Sequence, residues 1–487
     1  MASLDSKMEA VTLGTVVRAP SIVKSEVRPD GVCLVTLDDP GEVHNTITPQ
    51  LGAELTAAFD AAENDASVLS IVLRSGKKDS FLVGANIDYL QTIRFAKDAE
   101  EASLEVGRRF ARFAASAKPV VACVHGAALG GGFELALACT ATLATSDPKT
   151  VLGLPEVKLG LMPAANGLLR VAQRAGLRVA IDLGLTGRSL KAKQAFGLGL
   201  VDEVVAPEDA LEAACALALR LVVRPALRSV LRTTRGSKVE RVLLEKNPIG
   251  RAVLFRRARA ETAKKTRGHY PATERMLDVL ERFGSRGFRA AAKLEARLFG
   301  ELVVSETSHR LVELFFATTA AKKEPRFDDG AYRQRILGPY LDEAMHLLEE
   351  GVSADVIDAA LVDWGFPVGP IHALRERGAP LASRVASASH VKPMPDEISL
   401  RCTIALVNEA LRCLDEGVVK SARDGDLAAI FGIGFPAFRG GPFRYVDVLG
   451  APEVLRRTRS LEHRFGSRFE PAPLLVDMAR KGKRFYG

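Results

Sequence analysis

Apolar and polar positions in the N-terminal part of the chain predict strands that alternate with helices. Short apolar, β-branched runs at 31–37, 68–74 and 120–124 indicate buried strands, whereas apolar residues at helical spacing over 49–62 and 100–116 indicate amphipathic helices. Alternation of this kind is typical of an α/β domain whose parallel strands are joined by right-handed crossovers.

One stretch of this domain combines a strand, a glycine-rich turn and a helix. The strand predicted at 120–124 is followed by Gly126, the triplet Gly130-Gly131-Gly132 and then helix-forming residues from Phe133 onward. Backbone N–H groups at such a turn can hold negative charge that develops on an oxygen. Glu134 lies beside them and can move a proton. The combination suits enolate chemistry on an activated carbonyl.

A second acid follows in a similarly unusual position. Glu156 lies between Pro155 and an apolar run, where a charge is uncommon unless it is paired or used. Either acid alone is better explained by a helix-dipole or structural ion-pair role. The pair, framed by the glycines, favours acid–base chemistry.

These motifs resemble the crotonase (enoyl-CoA hydratase/isomerase) family. The resemblance is carried by Ala128-Leu-Gly-Gly-Gly-Phe-Glu134, by Leu154-Pro-Glu-Val-Lys-Leu-Gly160 and by Phe81-Leu-Val-Gly-Ala-Asn-Ile-Asp88. It implies a crotonase-type ββα superhelix over residues 22–206. It also implies that the N–H groups of Ala85 and Gly131 hold the thioester oxygen and that Glu134 and Glu156 are catalytic. Asn86 stands where the family usually has aspartate, and Asn166 interrupts a turn that is usually glycine-rich.

The remainder of the chain reads as helical and contains an internal repeat. Glu343-Ala-Met-His-Leu-Leu-Glu-Glu-Gly351 recurs sixty-six residues later as Glu409-Ala-Leu-Arg-Cys-Leu-Asp-Glu-Gly417, and Gly-Phe-Pro turns follow at 365–367 and 434–436. Residues 207–326 resemble the helical linker of multifunctional α subunits of fatty-acid β-oxidation complexes. Residues 327–487 resemble the duplicated, all-α C-terminal domain of 3-hydroxyacyl-CoA dehydrogenases.

Such subunits carry a nucleotide-binding domain between the linker and the helical domain. The sequence features that would predict this domain are missing here. No G-x-G-x-x-G turn follows a strand, Lys323–Gly330 joins the two regions directly, and Gln334 replaces the family asparagine that opens the helical domain. We therefore expect no NAD site and no cofactor, acyl-CoA being substrate.

Composition and charge also indicate which partners, metal sites and cellular settings to expect. A net charge of +8 and a basic stretch at 220–267 come without a nucleic-acid motif, so we expect no nucleic-acid partner. No apolar run approaches the ~18 residues of a membrane span. Scattered histidines give no metal-ligand spacing, and cysteines within apolar runs indicate buried thiols in a reducing, cytoplasmic setting.

The sequence thus predicts an enoyl-CoA hydratase of fatty-acid β-oxidation with Δ3-Δ2-enoyl-CoA isomerase capacity. By resemblance, Glu156 exchanges the C2 proton and Glu134 positions the water. Two alternatives stay open: a non-catalytic acyl-CoA-binding scaffold that docks a thiolase, and a dehydrogenase with an unrecognised nucleotide site. Expected partners are the enoyl-CoA thioester and either a thiolase subunit or further copies of the chain. Residues 331–487 are expected to dock on the linker and to brace it.

Overall fold

A computed structural model describes residues 21–226, 245, 247–322, 329–378 and 393–486. Much of the basic stretch at 220–267 and most of the junction Lys323–Gly330 lie outside these residues. The strands β1–β10 are Val23–Val27, Val32–Leu37, Ser70–Ser75, Ser80–Val83, Val120–Val124, Ala127–Leu129, Ala141–Thr145, Val151–Gly153, Ser189–Lys191 and Glu203–Val205. Helices α1–α8 are Pro49–Asn64, Ile87–Thr92, Ala96–Ala115, Gly131–Ala138, Gly167–Ala175, Leu177–Thr186, Ala192–Gly197 and Ala210–Val223.

The strands form two sheets within the described residues. One is six-stranded in the order β1-β2-β3-β5-β7-β10, and the other is four-stranded in the order β4-β6-β8-β9. Pairing is parallel except at β1–β2 and β8–β9. The predicted strands at 31–37, 68–74 and 120–124 are confirmed as β2, β3 and β5. The short β6 inside the glycine-rich stretch was not predicted, because three residues show no periodicity.

Helices from beyond the predicted first domain take part in the hydrophobic cores on both faces of the larger sheet. Helix α8 covers one face, where Leu217 and Leu221 pack with Val72 and Val121. The helices α9, α10 and α11 are Pro248–Thr266, Pro271–Val303 and Glu306–Ala321. Helix α10 packs on α3, α5 and α6 and shares the core of the opposite face. The predicted boundary at 206/207 is therefore not a break in packing.

Helix α10 changes direction at a glycine. Gly287 has φ 77° and ψ −179°, which divides the helix into two segments. A φ of this sign is inexpensive only for glycine. The second segment runs along α3, and a Cβ at Gly300 would overlap the carbonyl oxygen of Ala96. Close approach of the two helices therefore fixes which residues α10 presents to the N-terminal domain.

The C-terminal helices form a core of their own. They are α12–α19, at Gly330–Glu349, Ala354–Trp364, Pro370–Glu376, Pro395–Asp415, Ala422–Ile433, Pro442–Leu449, Ala451–Phe465 and Pro473–Lys481.

The predicted repeat is confirmed by matched capping in the two halves. Asp358 in α13 accepts from the amides of Ile371 and His372 at the start of α14, at 2.8 and 3.0 Å. Asp426 in α16 accepts from the amides of Phe443 and Arg444 in α17, at 2.8 and 3.2 Å. The long helices of both copies end, as predicted, before a glycine with positive φ, at 351 and 417.

The C-terminal region docks on the linker, as expected. The ring of Phe438 stacks on His269 with centroids 4.3 Å apart and meets Tyr270 edge-on at 5.6 Å. Beside this stack, Arg267 pairs with Asp363 at 2.6 Å. The stabilising effect of this docking stays a prediction.

Candidate active site

The glycine-rich turn brings α4 hard against its neighbours. Gly130 has φ 53°, and a Cβ at Gly132 would overlap the carbonyl oxygen of Leu82 in β4. Only glycine permits this backbone geometry and this approach. As a result Glu134, in the first turn of α4, is carried into the interior, where 3% of its surface remains exposed.

Two backbone amides hold the carboxylate of Glu134. Its Oε1 accepts from Ala165 N at 2.8 Å and from Gly167 N at 2.7 Å, where the chain enters α5. Burial raises the pKa of Glu134 above its ordinary value, and the two amides and the charge of Arg170 oppose that rise. The two hydrogen bonds thus fix the orientation of the carboxyl group.

Glu156 lies in a 3₁₀ turn, Pro155–Leu159, that Gly160 closes with φ 68°. Its Oε1 faces the glycine-rich turn, since a Cβ at Gly130 would lie 2.8 Å from it. Its Oε2 is buried and has no hydrogen-bond partner among the described residues. Burial, and then the negative charge of Glu134, raise the pKa of Glu156 well above its ordinary value. The structure therefore brings the two predicted acids together.

The predicted oxyanion loop runs beside the glycine-rich turn. An isolated parallel bridge joins Ile47 to Ala85, and it uses the amides of Ile47 and Asn86. Ala85 N is left without a backbone acceptor in the described part of the chain, as is Gly131 N at the first position of α4. A Cβ at Gly131 would lie 3.8 Å from the carbonyl carbon of Gly84, so the two loops are adjacent.

Asparagine in place of the family's usual aspartate at position 86 leaves the loop intact, because the side chain of Asn86 caps α2. Asn86 Oδ1 accepts from Tyr89 N at 2.9 Å. An amide oxygen accepts this bond as a carboxylate would. Asn166, which replaces a residue of the family's glycine-rich turn, has a left-handed backbone with φ 67° at the start of α5.

Sequence reasoning missed two charged residues of this site. Glu295 in α10 is 1% exposed, and its Oε1 accepts from Asn166 N at 2.7 Å. Arg170 in α5 is 6% exposed, and burial lowers its pKa while the charges of Glu134 and Glu295 oppose the change. A signal for Glu295 existed: it shares an apolar helical face with Ala291 and Leu298, where an acid is unexpected.

Three further observations concern metal ligands, membrane-spanning helices and cysteines. In the part of the chain that the structure describes, no group of three or more His, Cys, Asp or Glu side chains is arranged to hold a metal ion. No helix within the described ranges has the length and apolar character needed to cross a membrane. The six cysteines are all buried and free.

Comparison with known families agrees with this geometry. Residues 27–270 match the family profile described as enoyl-CoA hydratase/isomerase. Residues 330–396 and 398–484 match the profile described as 3-hydroxyacyl-CoA dehydrogenase, C-terminal domain. The chain belongs to the enoyl-CoA hydratase/isomerase family. The predicted fold class and the prediction of an enzyme of this family are confirmed.

One relative aligns with this chain over nearly the whole length of both proteins. The fatty acid oxidation complex subunit alpha of Shewanella loihica is 29% identical over 701 positions, which take in 94% of this chain and 98% of the relative. Solved structures that resemble the chain include an enoyl-CoA hydratase from Thermoplasma volcanium, at 31% identity and TM-score 0.40, covering 44% of this chain and 83% of that one. Another is an enoyl-CoA hydratase from Bacillus anthracis, at 25% identity and TM-score 0.40, covering 43% and 81%.

Proposed function

We propose that this protein hydrates 2-enoyl-CoA thioesters in fatty-acid β-oxidation, with Glu134 and Glu156 as the catalytic acids. The observation that supports it most is the pair of carboxyl groups, Glu134 buried and Glu156 with a buried Oε2, beside the glycine-rich turn and the adjacent loop at 81–88. One N–H group in each of these two segments has no backbone acceptor in the described part of the chain and can bind a thioester oxygen. Ala85 and Gly131 supply those N–H groups in the proposal.

Hydration places negative charge on the thioester oxygen when water adds to C3. Two N–H donors at that oxygen stabilise the enolate, and loss of one such donor typically costs about 3 kcal/mol. The oxygen of water forms its bond to C3 while one carboxylate takes the proton of that water. The C2 carbon then receives a proton from the other carboxyl group, which gives the 3-hydroxyacyl thioester.

The hydrogen bonds around the two acids support a division of roles. Glu134 accepts two amide N–H bonds, which favour its ionised form and suit a base that takes a proton from water. Glu156 has a buried Oε2 without a partner in the described structure and a strongly raised pKa, which suit a group that holds a proton for C2. The same two groups, moving a proton between C2 and C4, account for the isomerase capacity.

The setting of the reaction is part of the proposal. The Shewanella loihica relative is named as the α subunit of a fatty acid oxidation complex, so we place this chain in such a complex with a second subunit, a thiolase. The alignment of 701 positions exceeds the 487 residues of this chain by more than two hundred, which supports the proposed lack of an NAD-binding domain. Six unpaired, buried cysteines support a reducing compartment such as the cytoplasm.

The experiment is a hydration assay with the purified full chain. Crotonyl-CoA and longer 2-enoyl-CoA thioesters are supplied, and loss of the conjugated thioester absorbance is followed together with the 3-hydroxyacyl product. We expect turnover, with a chain-length preference set by the pocket. Saturable binding of enoyl-CoA without turnover would instead establish the scaffold alternative.

A further inference from the structure

We propose that Glu295, which the linker helix α10 places against the segment 165–167, is a positioning residue for hydration. It fixes the Asn166 amide and, through it, the segment 165–167 that holds Glu134. The inference rests on the proposed function and adds a linker residue that acts on the N-terminal domain only through the segment 165–167.

Three consecutive amides donate to two different carboxyl groups. Ala165 N and Gly167 N both donate to Oε1 of Glu134, whereas Asn166 N, between them, donates to Oε1 of Glu295 at 2.7 Å. The segment is therefore clamped between two carboxyl groups that approach it from different helices. Rotation of the Asn166 peptide groups moves the neighbouring amides as well, and the orientation of Glu134 moves with them.

The backbone of Asn166 has an uncommon conformation that its surroundings hold in place. Its φ of 67° lies in the left-handed region, which residues other than glycine adopt rarely, asparagine more readily than most. Its side chain is wedged against α3, where a Cβ at Gly107 would lie 2.8 Å from Asn166 Nδ2. With α3 on one side and Glu295 on the other, the unusual conformation is held by its surroundings.

Glu295 is itself fixed in place. It lies in the second segment of α10, whose buried face also carries Ala291, Leu298, Phe299 and Leu302. An acid at 1% exposure on this face is costly, and an apolar residue of similar size would pack there without a desolvation penalty. An acceptor aimed at one specific amide gives this costly residue a role.

The charges that face Glu295 come from three elements of the N-terminal domain. They are Glu134 in α4, Glu156 in the 3₁₀ turn and Arg170 in α5. Arg170 is the positive group among them. Its Nη1 is buried without a hydrogen-bond partner in the described part of the chain, so its charge acts on the acids through space.

Two substitutions separate the acceptor from the charge. Glu295→Gln keeps an oxygen at the position of Oε1 and removes the ionisable group. Glu295→Asp keeps the carboxyl group and withdraws it by about 1.5 Å, one C–C bond, beyond hydrogen-bond reach of Asn166 N. Both variants are compared with the wild-type chain by steady-state hydration kinetics and by thermal unfolding.

We expect Glu295→Gln to keep kcat within about threefold of wild type. Glu295→Asp should lose about 10- to 100-fold in kcat with little change in KM, because a small misplacement of a catalytic group costs that much while substrate contacts remain. Wild-type kcat in Glu295→Asp, or a loss in Glu295→Gln equal to that in Glu295→Asp, overturns the inference. An inactive wild-type chain overturns the proposed function itself.

A measurement on the folded wild-type chain covers the case in which Glu295→Asp does not fold. Amide hydrogen exchange of the segment 165–167 reports directly on the clamp. We expect slow exchange in the wild-type chain and in Glu295→Gln. Exchange at the rate of an unprotected amide in the wild-type chain would show that the clamp is absent, which overturns the inference.

Discussion

Gly167 holds Glu134 twice over, because its amide donates to Oε1 of that residue at 2.7 Å and its missing side chain leaves room for the carboxyl. A Cβ at Gly167 would overlap Glu134 Cγ and would lie 2.8 Å from Oε1. One of the two proposed catalytic acids is thus placed by the first residue of a helix that lies more than thirty residues further along the chain.

Gly167→Ala should therefore impair catalysis by displacing Glu134. We expect kcat for hydration to fall about 10- to 100-fold, the effect of a small misplacement of a catalytic group. Gly197→Ala is the matched control, because a Cβ at Gly197 meets nothing within 4 Å, and it should leave kcat unchanged. Equal kcat in the two variants would contradict the placement of Glu134.

Removal of either acid should abolish most of the hydration activity. We expect Glu134→Gln and Glu156→Gln each to lower kcat by at least ~10²-fold, the usual loss for an acid–base group. The substitutions are close to isosteric, so the fold should persist by circular dichroism. Glu208→Gln, at an exposed acid, is the control. Full activity in either active-site variant rules out the mechanism.

The pH dependence of stability should report the buried acids. The pKa of Glu156 in the folded chain is raised above its ordinary value of 4.5, so the folded state holds this proton more tightly than the unfolded state. The corresponding stability is present below about pH 4.5 and is lost as the pH rises through the folded-state pKa. Glu156→Gln does not titrate, so its melting temperature relative to wild type should rise between pH 5 and pH 8. A difference that does not change with pH would contradict the raised pKa.

The contact between the C-terminal helices and the linker should stabilise the chain. Phe438→Ala removes the stack on His269 and the edge contact with Tyr270. Each aromatic pair contributes about 0.5–1.5 kcal/mol beyond burial, so we expect a loss of about 1–3 kcal/mol in the free energy of unfolding. Phe431→Ala, at a ring that is 67% exposed, should cost much less. Equal losses in denaturant titrations of the two variants would argue against the brace.

The cofactor prediction is tested by calorimetry. The sequence lacks a G-x-G-x-x-G turn after a strand, so we expect no NADH binding and no oxidation of 3-hydroxyacyl-CoA. Titration of NADH into the full chain should give no saturable heat. A micromolar Kd for NADH would revive the dehydrogenase alternative.

Local sequence pattern was sufficient to predict those features of this protein that depend on residues close together in the chain. The glycine triplet, Glu134 and Glu156 were recognisable because a backbone that must approach closely requires glycine, and an acid in apolar surroundings requires a use. The repeat was recognisable because the pattern that ends at Gly351 recurs, sixty-six residues later, in the pattern that ends at Gly417. The strand β6 was not, because three residues are too few to show a period.

Tertiary structure decided which distant residues complete the site. Glu295 reaches the proposed catalytic acids only because α10 bends at Gly287 and lies along α3, and Arg170 does so because α5 packs against α4. Neither the bend nor these helix contacts are visible in local periodicity. The raised pKa values likewise depend on burial by segments that are far apart in sequence. Burial and through-space charge are properties of the folded chain. The sequence therefore identifies the two acids, whereas their pKa values depend on the packing around them.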